Sequence, residues 1–305
     1  METVLGVVQT ALPVFLALML GVLCRKKHLL TREGIDTLKK VAVDICLPAV
    51  VIGAFATAEY TEKSLILPLV IFFAGCLGLF LGKVLCKKLK MPGTLTPFLM
   101  CGFEGGMLGY ALFGLLYPGE SMSAFALIDL GQAFFCFTMY KALLAGGNRD
   151  RKTLVKDCFT TPVVWDVIAG LLLGATGLYK WLGGVGIASI IDACTGFISA
   201  PTSMLILLSV GYDLNVKDLL QKETLKTAVL RLAIMGGMLG VILLINTVFP
   251  IVHTGAMILA FMLPAPYVVP IFADRPEERE QVSSALSAMT VVTLAVFAVM
   301  CIFAS

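Results

Sequence analysis

The sequence predicts an all-helical membrane protein with ten transmembrane helices, arranged as two inverted repeats of five helices. Three observations predict this fold: an apolar composition, an alternation of basic connections, and proline and glycine landmarks that recur at a nearly constant distance. Of the 305 residues 59% are hydrophobic and 14% are charged, whereas about a quarter of the residues of a soluble domain are charged. The mean hydropathy of +0.96 agrees with lipid as the main solvent.

Apolar segments long enough to cross a bilayer, which takes roughly 17–25 residues, recur along the whole chain. We place ten of them near residues 4–23, 38–57, 65–86, 96–116, 122–145, 162–181, 188–210, 226–248, 254–272 and 283–303. The first segment has no basic residues before it, and Arg25, Lys26 and Lys27 follow it, which predicts a retained helix rather than a cleaved signal peptide. The first repeat then covers residues 1–150 and the second covers 151–305.

The basic residues alternate between the two ends of the predicted helices. The odd-numbered connections, together with the span ends that border them, hold 21 of the 23 Lys and Arg residues. The seventh connection is counted from Lys217 through Arg231, and the even-numbered connections hold only Lys63 and Lys180. Because basic connections remain in the cytoplasm, this pattern predicts a multi-pass protein of the cell (inner) membrane with both termini outside the cytoplasm.

A labelling experiment tests this orientation. We expect cysteines engineered into residues 146–152 to react with a membrane-impermeant maleimide only after permeabilisation, because this connection is basic and therefore predicted to be cytoplasmic. A cysteine engineered into the connection that holds Lys63 is the control and should react in intact cells. The reverse pattern of labelling would overturn the orientation.

Landmark residues recur between the two halves. Pro13, in the first predicted span, and Pro162, at the start of the sixth, lie 149 residues apart, and Pro48 and Pro201 lie 153 residues apart. A glycine-rich stretch in the fourth span, "GFEGGMLG", is followed about 160 residues later by "FMLPAPYVVP" in the ninth. Because five spans reverse the direction of the chain, two such halves have opposite orientations and indicate an inverted repeat.

The glycines and prolines of the fourth and ninth spans predict two interrupted helices. Glycine weakens a helix and lets another backbone approach closely, and proline removes a backbone donor. Backbone groups freed in this way need protein, water or substrate as partners within a membrane, so paired interruptions indicate a substrate site. The predicted substrate-binding residues are Glu104, Gly105, Gly106, Gly109, Pro264, Ala265, Pro266 and Tyr267, unless the glycines serve only to pack helices.

Glu104 is the most informative single residue, because a charge at the centre of a membrane helix costs about 2.5–3.5 kcal/mol on insertion scales. Such residues usually face a cavity or a partner, so Glu104 is predicted to couple transport to a proton or cation, or to shape the substrate pocket. The alternative is a carboxyl group that only holds helices together. Asp129 and Gln132 lie three residues apart on one helix face. They are predicted either to line the same cavity in a coupling role or to form a hydrogen bond between helices.

Motifs of ATP-driven or hydrolytic chemistry are not found in the sequence: no Walker A, HExxH or GxSxG pattern occurs. We therefore predict that the chain is not an enzyme, binds no metal or cofactor beyond a possible coupling H⁺ or Na⁺, and has no nucleic-acid partner. The remaining function classes are a secondary transporter, a passive channel and a membrane receptor. A channel would show a continuous polar pore, whereas the charged residues within these spans are few and local.

Three stretches carry a resemblance to a known family: "ALPVFLALMLGVLCRKKHLL", "ICLPAVVIGAF" and "CGFEGGMLGYALFG". There the chain resembles the auxin efflux carrier family, which includes bacterial malate/malonate-type permeases and the plant PIN proteins. The family often has Asn-x-Gly-x-x-Gly-x-Pro in the fourth span. Here Glu104 stands in place of the Asn, Gly106 and Gly109 match, Ala111 stands in place of the Pro, and Pro264 matches a proline of the ninth span.

The resemblance implies that the broken helices 4 and 9 cross, with a dimeric scaffold of helices 1, 2, 6 and 7 and a transport domain of helices 3–5 and 8–10. It also implies elevator-type alternating access for a small organic anion, such as a dicarboxylate or an auxin-like carboxylate. A sodium-coupled symporter of the bile-acid-carrier type is the alternative within transport. Glu104 stands in place of a neutral Asn, and a carboxylate repels an anionic substrate unless it is protonated or paired.

Overall fold

The computed structural model describes residues 2–58, 60, 62–144, 162–214, 219–250, 253–273 and 275–304, and all regular elements within these ranges are helical. The first half contains α1 (Glu2–Lys26), α2 (Arg32–Val41), α3 (Leu47–Ala56), α4 (Glu62–Lys88), α5 (Tyr110–Leu116), α6 (Ser123–Phe135) and α7 (Lys141–Leu144). The second half contains α8 (Pro162–Ala175), α9 (Leu178–Gly184), α10 (Ile187–Ser199), α11 (Thr202–Asp213), α12 (Lys222–Val248), α13 (Thr254–Met262) and α14 (Pro276–Ala304).

Short π-helical and 3₁₀-helical segments join or flank some of these elements. The π-helical turn Ala42–Cys46 makes α2 and α3 one continuous helix, and Cys136–Tyr140 does the same for α6 and α7. Another π-helical turn, Gly105–Gly109, precedes α5. The 3₁₀ segments Thr96–Met100 and Val269–Phe272 flank the two interruptions described below. The helix from α2 to α3 begins at Arg32, six residues earlier than the predicted span at 38–57.

Seven described helical segments are long and apolar enough to cross a membrane, and the bent pair α8–α9 is an eighth if it is counted as one span. These segments coincide with the predicted spans 1, 3, 4, 5, 6, 7, 8 and 10. The two other predicted spans correspond to the charged helix from α2 to α3 and to α13, which is nine residues long and followed by an interruption. The boundary at residue 150 and the connection 146–152 lie outside the described residues.

Glycines bring two pairs of helices into backbone contact. A Cβ on Gly21 of α1 would overlap Leu208 O of α11, and one on Gly211 of α11 would overlap Leu18 O of α1. On the other pair, a Cβ on Gly170 of α8 would lie 3.0 Å from Ile52 O of α3, and one on Gly174 would overlap Phe55 O. We call these two contacts the glycine seams. Only a residue without a side chain permits helices to approach this closely.

The fourth predicted span lies at the centre of the described structure. In Thr96–Leu116, 72% of the apolar window is buried, compared with 22% for the window in α1. Glycines pack α4 closely against this centre as well, because a Cβ on Gly82 would lie 2.6 Å from Pro97 O and one on Gly131 of α6 would overlap Pro68 O of α4. Interruptions of this span are therefore enclosed by protein rather than lipid, as unpaired backbone groups require.

Candidate functional site

Two helices are interrupted at the positions that the glycines and prolines predict. After the 3₁₀ segment Thr96–Met100 the chain is non-helical until Gly105, where the π-helical turn begins. In the second half α13 ends at Met262, and residues 263–268 lie outside any helix. The predicted interruptions near Gly105 and Ala265 are therefore confirmed.

The two interruptions lie directly against each other. The Glu104 N–H donates a hydrogen bond of 2.9 Å to Pro264 O. Gly102 has a φ of +65°, a left-handed conformation that favours glycine. A Cβ at Gly102 would also lie 3.4 Å from the Pro266 ring and 2.9 Å from Gln132 Nε2. We call these two facing segments, residues 101–105 and 263–267, the crossing.

The Glu104 carboxylate joins the two halves of the crossing. Its Oε1 accepts a hydrogen bond of 3.2 Å from Met107 N–H and so caps the helical turn that begins at Gly105. Its Oε2 accepts one of 2.7 Å from Tyr267 N–H in the opposite segment. Helix N-termini have unpaired N–H groups and a partial positive charge, so a carboxylate is well placed there.

Arg231 of α12 supplies the donors for the carbonyl groups of the crossing. Its guanidinium donates to Leu99 O, Gly102 O and Leu263 O at 2.7–2.8 Å, and the residue is 3% exposed. Arg231 is therefore not part of a cytoplasmic connection, as its place among the basic residues of the seventh connection predicted, but lies buried within α12. Its long side chain lies inside the protein because the rigid guanidinium fork can satisfy several buried carbonyls at once.

Gln132 and Asp129 of α6 contact the crossing from a third side. Gln132 Nε2 donates a hydrogen bond of 2.8 Å to Phe103 O and so joins α6 to a non-helical part of the crossing. An oxygen of the Asp129 carboxylate lies where a Cβ of Gly105 would be, so Gly105 has no room for a side chain. Gly109, one turn later, is restricted in the same way by the ring of Phe125. Gly106 differs, because a Cβ there would lie 3.4 Å from Leu47 Cδ2 and 4.0 Å from Glu104 Oε1.

A cavity of about 660 Å³ lies on one side of the crossing. Met107 and Tyr267, which donate the two N–H groups to Glu104, line its inner part. The Tyr267 hydroxyl is hydrogen-bonded to Thr290 Oγ1 at 2.9 Å. Five charged side chains also line this cavity, among apolar and hydroxyl residues: Arg32, Asp36, Lys39, Asp213 and Arg279.

Asp213 organises the charges of this cavity. Its carboxylate pairs with Arg32 Nη1 at 2.5 Å and with Lys39 Nζ, and both cations also lie near Asp36. Arg279, on α14, donates a hydrogen bond of 3.3 Å to Ala273 O. Because α2 and α11 are joined by these pairs, the charged wall of the cavity links elements from both halves of the chain.

A second cavity, of about 430 Å³, lies on the other side of the crossing. It is lined by Tyr110, by the end of α3 at Gly53 and Thr57, and by polar residues of α10 that include Asp192 and Thr195. The helix from α2 to α3 therefore lines the first cavity near Arg32 and the second near Thr57. The two cavities lie at opposite ends of one helix, and the first of them borders the crossing at Tyr267.

Most predicted site residues are thus brought together. Glu104, Gly105, Pro264 and Tyr267 meet at the crossing, and Asp129 and Gln132 lie against it. Ala265 and Pro266 are buried within it, whereas Gly106 and Gly109 face Leu47 and Phe125. The sequence reasoning missed Arg231, although a signal existed, since it lies nine residues inside the apolar helix α12. Among the described residues no group of acidic, Cys and His side chains could hold a metal ion.

Multiple apolar helices and an enclosed pair of broken helices between two cavities define a transporter-like membrane protein. The chain is 23% identical over 223 residues to a protein named "Uncharacterized transporter" from the archaeon Methanothermobacter thermautotrophicus (strain Delta H). The alignment covers 70% of each chain. No protein-family model matches the chain.

Proposed function

We propose that this protein is a secondary transporter that moves a small organic anion by elevator-type alternating access, as a member of the auxin efflux carrier family. One observation carries the proposal: two interrupted helices meet between cavities that open at opposite ends of the same helix. In transporters, discontinuous helices near the membrane centre form the substrate and ion sites. The similarity to an archaeal transporter supports the same class.

The glycine seams support a ten-helix inverted repeat. Gly21 of the first span and Gly170 of the sixth are 149 residues apart, which is also the distance between Pro13 and Pro162. Each of these glycines packs against a backbone carbonyl, one in the seventh span and the other in the second. A two-fold relation between residues 1–150 and 151–305 exchanges the first span with the sixth and the second with the seventh, so it would convert one seam into the other.

The helices joined by the glycine seams would form the scaffold, and the helices that carry the crossing would form the moving domain. In this proposal the scaffold also provides a homodimer contact within the lipid bilayer of the cell membrane. The odd-numbered connections, with both Arg32 and Lys39, face the cytoplasm, so the cavity of about 660 Å³ would be the cytoplasmic one. The substrate contacts proposed are the segment from Glu104 through Gly106, Gly109, and the segment from Pro264 through Tyr267.

An anionic substrate is compatible with Glu104, because this carboxylate is already paired with two backbone N–H groups. The cations Arg32, Lys39 and Arg279 would attract an organic anion into the cytoplasmic cavity. Coupling to H⁺ or Na⁺ would involve Glu104, Asp129 or Gln132. A passive channel has less support, since the crossing between the two cavities is filled by hydrogen-bonded protein groups.

Uptake into proteoliposomes tests the proposal. The purified protein would be reconstituted and offered radiolabelled malate, malonate, succinate and indole-3-acetate, each with a pH gradient, a sodium gradient or no gradient. We expect saturable uptake of at least one acid, and competition between acids that share the site, because alternating access exposes one site to each side in turn.

Protein-free liposomes would show the passive leak of each acid. Saturable binding of an acid without uptake would indicate a receptor. A conductance that none of the acids inhibits, without accumulation, would indicate a channel. Either result would contradict the proposed function.

A further inference from the structure

Asp213, the last residue of α11, lies where the helix itself does not favour a carboxylate. The C-terminus of a helix has a partial negative charge, which repels an acidic side chain. Two cations of α2 offset this repulsion: Asp213 Oδ1 pairs with Arg32 Nη1 at 2.5 Å, and Oδ2 pairs with Lys39 Nζ. Arg32 and Lys39 are seven residues apart and so lie on one face of α2. One carboxylate therefore bridges two cations, with one oxygen on each.

This bridge forms part of the wall of the cavity of about 660 Å³. The Lys39 side chain is 21% exposed, compared with 63% for Arg32, so Lys39 is the deeper of the two cations. Asp36 lies on the same face of α2 but does not bridge them as closely, since it is 3.4 Å from Arg32 Nε and 3.7 Å from Lys39 Nζ. Salt screens a partly buried charge less than an exposed one, so Lys39 attracts a carboxylate in the cavity more strongly than Arg32 does.

Another wall of the same cavity belongs to the crossing and to α14. Tyr267 lies on it, and four polar residues of α14 follow at spacings of four, four and three: Arg279, Ser283, Ser287 and Thr290. Such spacings place them on one face of the helix. A small acid in this cavity would contact polar groups of α14 while its carboxylate lies on the cations of α2. Asp213 occupies that carboxylate position from within the chain.

We propose that Asp213 is an internal competitor of the substrate: in the empty cavity its carboxylate fills the position on Arg32 and Lys39 that a substrate carboxylate takes on binding. This assignment rests on the proposed transport of an organic anion. The exchange replaces ion pairs and makes or breaks no covalent bond. A tethered carboxylate is present at a high effective concentration, so Asp213 weakens substrate binding and takes back both cations as the substrate leaves.

Asp213→Ala tests the carboxylate site without transport. We expect a lower melting temperature in detergent, because two like charges are left facing each other, and saturable recovery when acetate or malonate is added. Acetate supplies the carboxylate that the Asp side chain has lost, and chloride at equal ionic strength controls for screening. Lys39→Met in the Asp213→Ala background should abolish the recovery. Asp36→Ala is the matched control, since it removes a carboxylate near the same cations, and it should respond to acetate as the wild type does.

Two results would overturn the carboxylate site: recovery with chloride as strong as with acetate, or an equal response to acetate in Asp36→Ala. If Asp213→Ala does not fold, Asp213→Asn takes its place, because it keeps the shape of the side chain and removes the charge. We expect this variant to bind malonate about three- to fivefold more tightly than the wild type in calorimetry, the size of one partly exposed ion pair. Unchanged or weaker binding would overturn the assignment.

Uptake into proteoliposomes separates this assignment from the proposed function. For an acid that the wild type accumulates, Asp213→Asn should lower the half-saturating concentration about three- to fivefold, for the same reason. An unchanged value would show that Asp213 only joins α11 to α2, and the role of competitor would be wrong. Recovery with acetate in Asp213→Ala, without uptake of any acid, would contradict transport and support the carboxylate site alone.

Discussion

Gly105→Ala is expected to abolish transport and to lower the thermal stability of the protein. The added methyl group would occupy the position of an Asp129 carboxylate oxygen. Neither side can move freely, because Gly105 follows the residue that joins the crossing and Asp129 lies on the packed helix α6. Overpacking of this kind costs about 1–3 kcal/mol, and the backbone shift that relieves it would separate Glu104 from Pro264 or Tyr267. Uptake into proteoliposomes and a thermal melt in detergent measure the two effects.

Gly106→Ala is the matched control for this prediction. It changes the neighbouring residue in the same turn, and its methyl group would lie 3.4 Å from Leu47 Cδ2 and 4.0 Å from Glu104 Oε1, which are both ordinary contacts. We expect nearly wild-type thermal stability. If Gly106→Ala lost as much stability as Gly105→Ala, the close approach of Asp129 to Gly105 would not be what makes Gly105 necessary.

Arg231→Met should have the largest effect on folding of any single substitution considered for this chain. Methionine keeps much of the length of the side chain but removes the donors for Leu99 O, Gly102 O and Leu263 O. Each buried carbonyl left without a partner costs about 1–3 kcal/mol. We expect a broad, aggregated peak in size-exclusion chromatography, and partial recovery in Arg231→Lys, which restores donors but not the planar fork.

Lys226→Met controls for the loss of a cation from the same helix. Lys226 is 43% exposed and lies 3.8 Å from Glu223 in an i,i+3 pair, and exposed pairs of this kind contribute about 0–1 kcal/mol. This variant should be monodisperse and as stable as the wild type. A monodisperse and stable Arg231→Met protein would show that water or other groups can replace the guanidinium at the crossing.

The interruptions of the fourth and ninth spans could be predicted from sequence because glycine and proline act on the backbone itself. Gly102, Gly105 and Pro264 weaken or break a helix wherever they occur within it. The role of Arg231 could not be predicted in this way. The three carbonyls it binds lie 132, 129 and 32 residues away along the chain, and a count of charges cannot distinguish a cation at a membrane surface from one whose side chain extends inward.

The hydrogen-bond partners of Glu104 could not be predicted from sequence either. Its central position and glycine neighbours marked it as a candidate site residue. Its position alone could not show that both oxygens bind backbone N–H groups, because one donor, Tyr267, is 163 residues away. The helix from α2 to α3 was also predicted too short, since Arg32 and Lys39 looked like a connection. The helix begins at Arg32, where Thr31 caps it, and both cations pair with Asp213 far along the chain.

The glycine seams make two pairs of helices mechanically stiff. Where Gly21 and Gly211 lie on the carbonyls of the opposite helix, one helix cannot slide along the other by a turn, about 5.4 Å, without first being pulled away from it. Interfaces made by long side chains are different, because their rotamers can change while the surfaces stay in contact. At Gly106, Leu47 Cδ2 lies 3.4 Å from the position of a Cβ, and this contact can rearrange through the rotamer of Leu47. In the proposed elevator motion, the two helices of each glycine seam should therefore move as one unit.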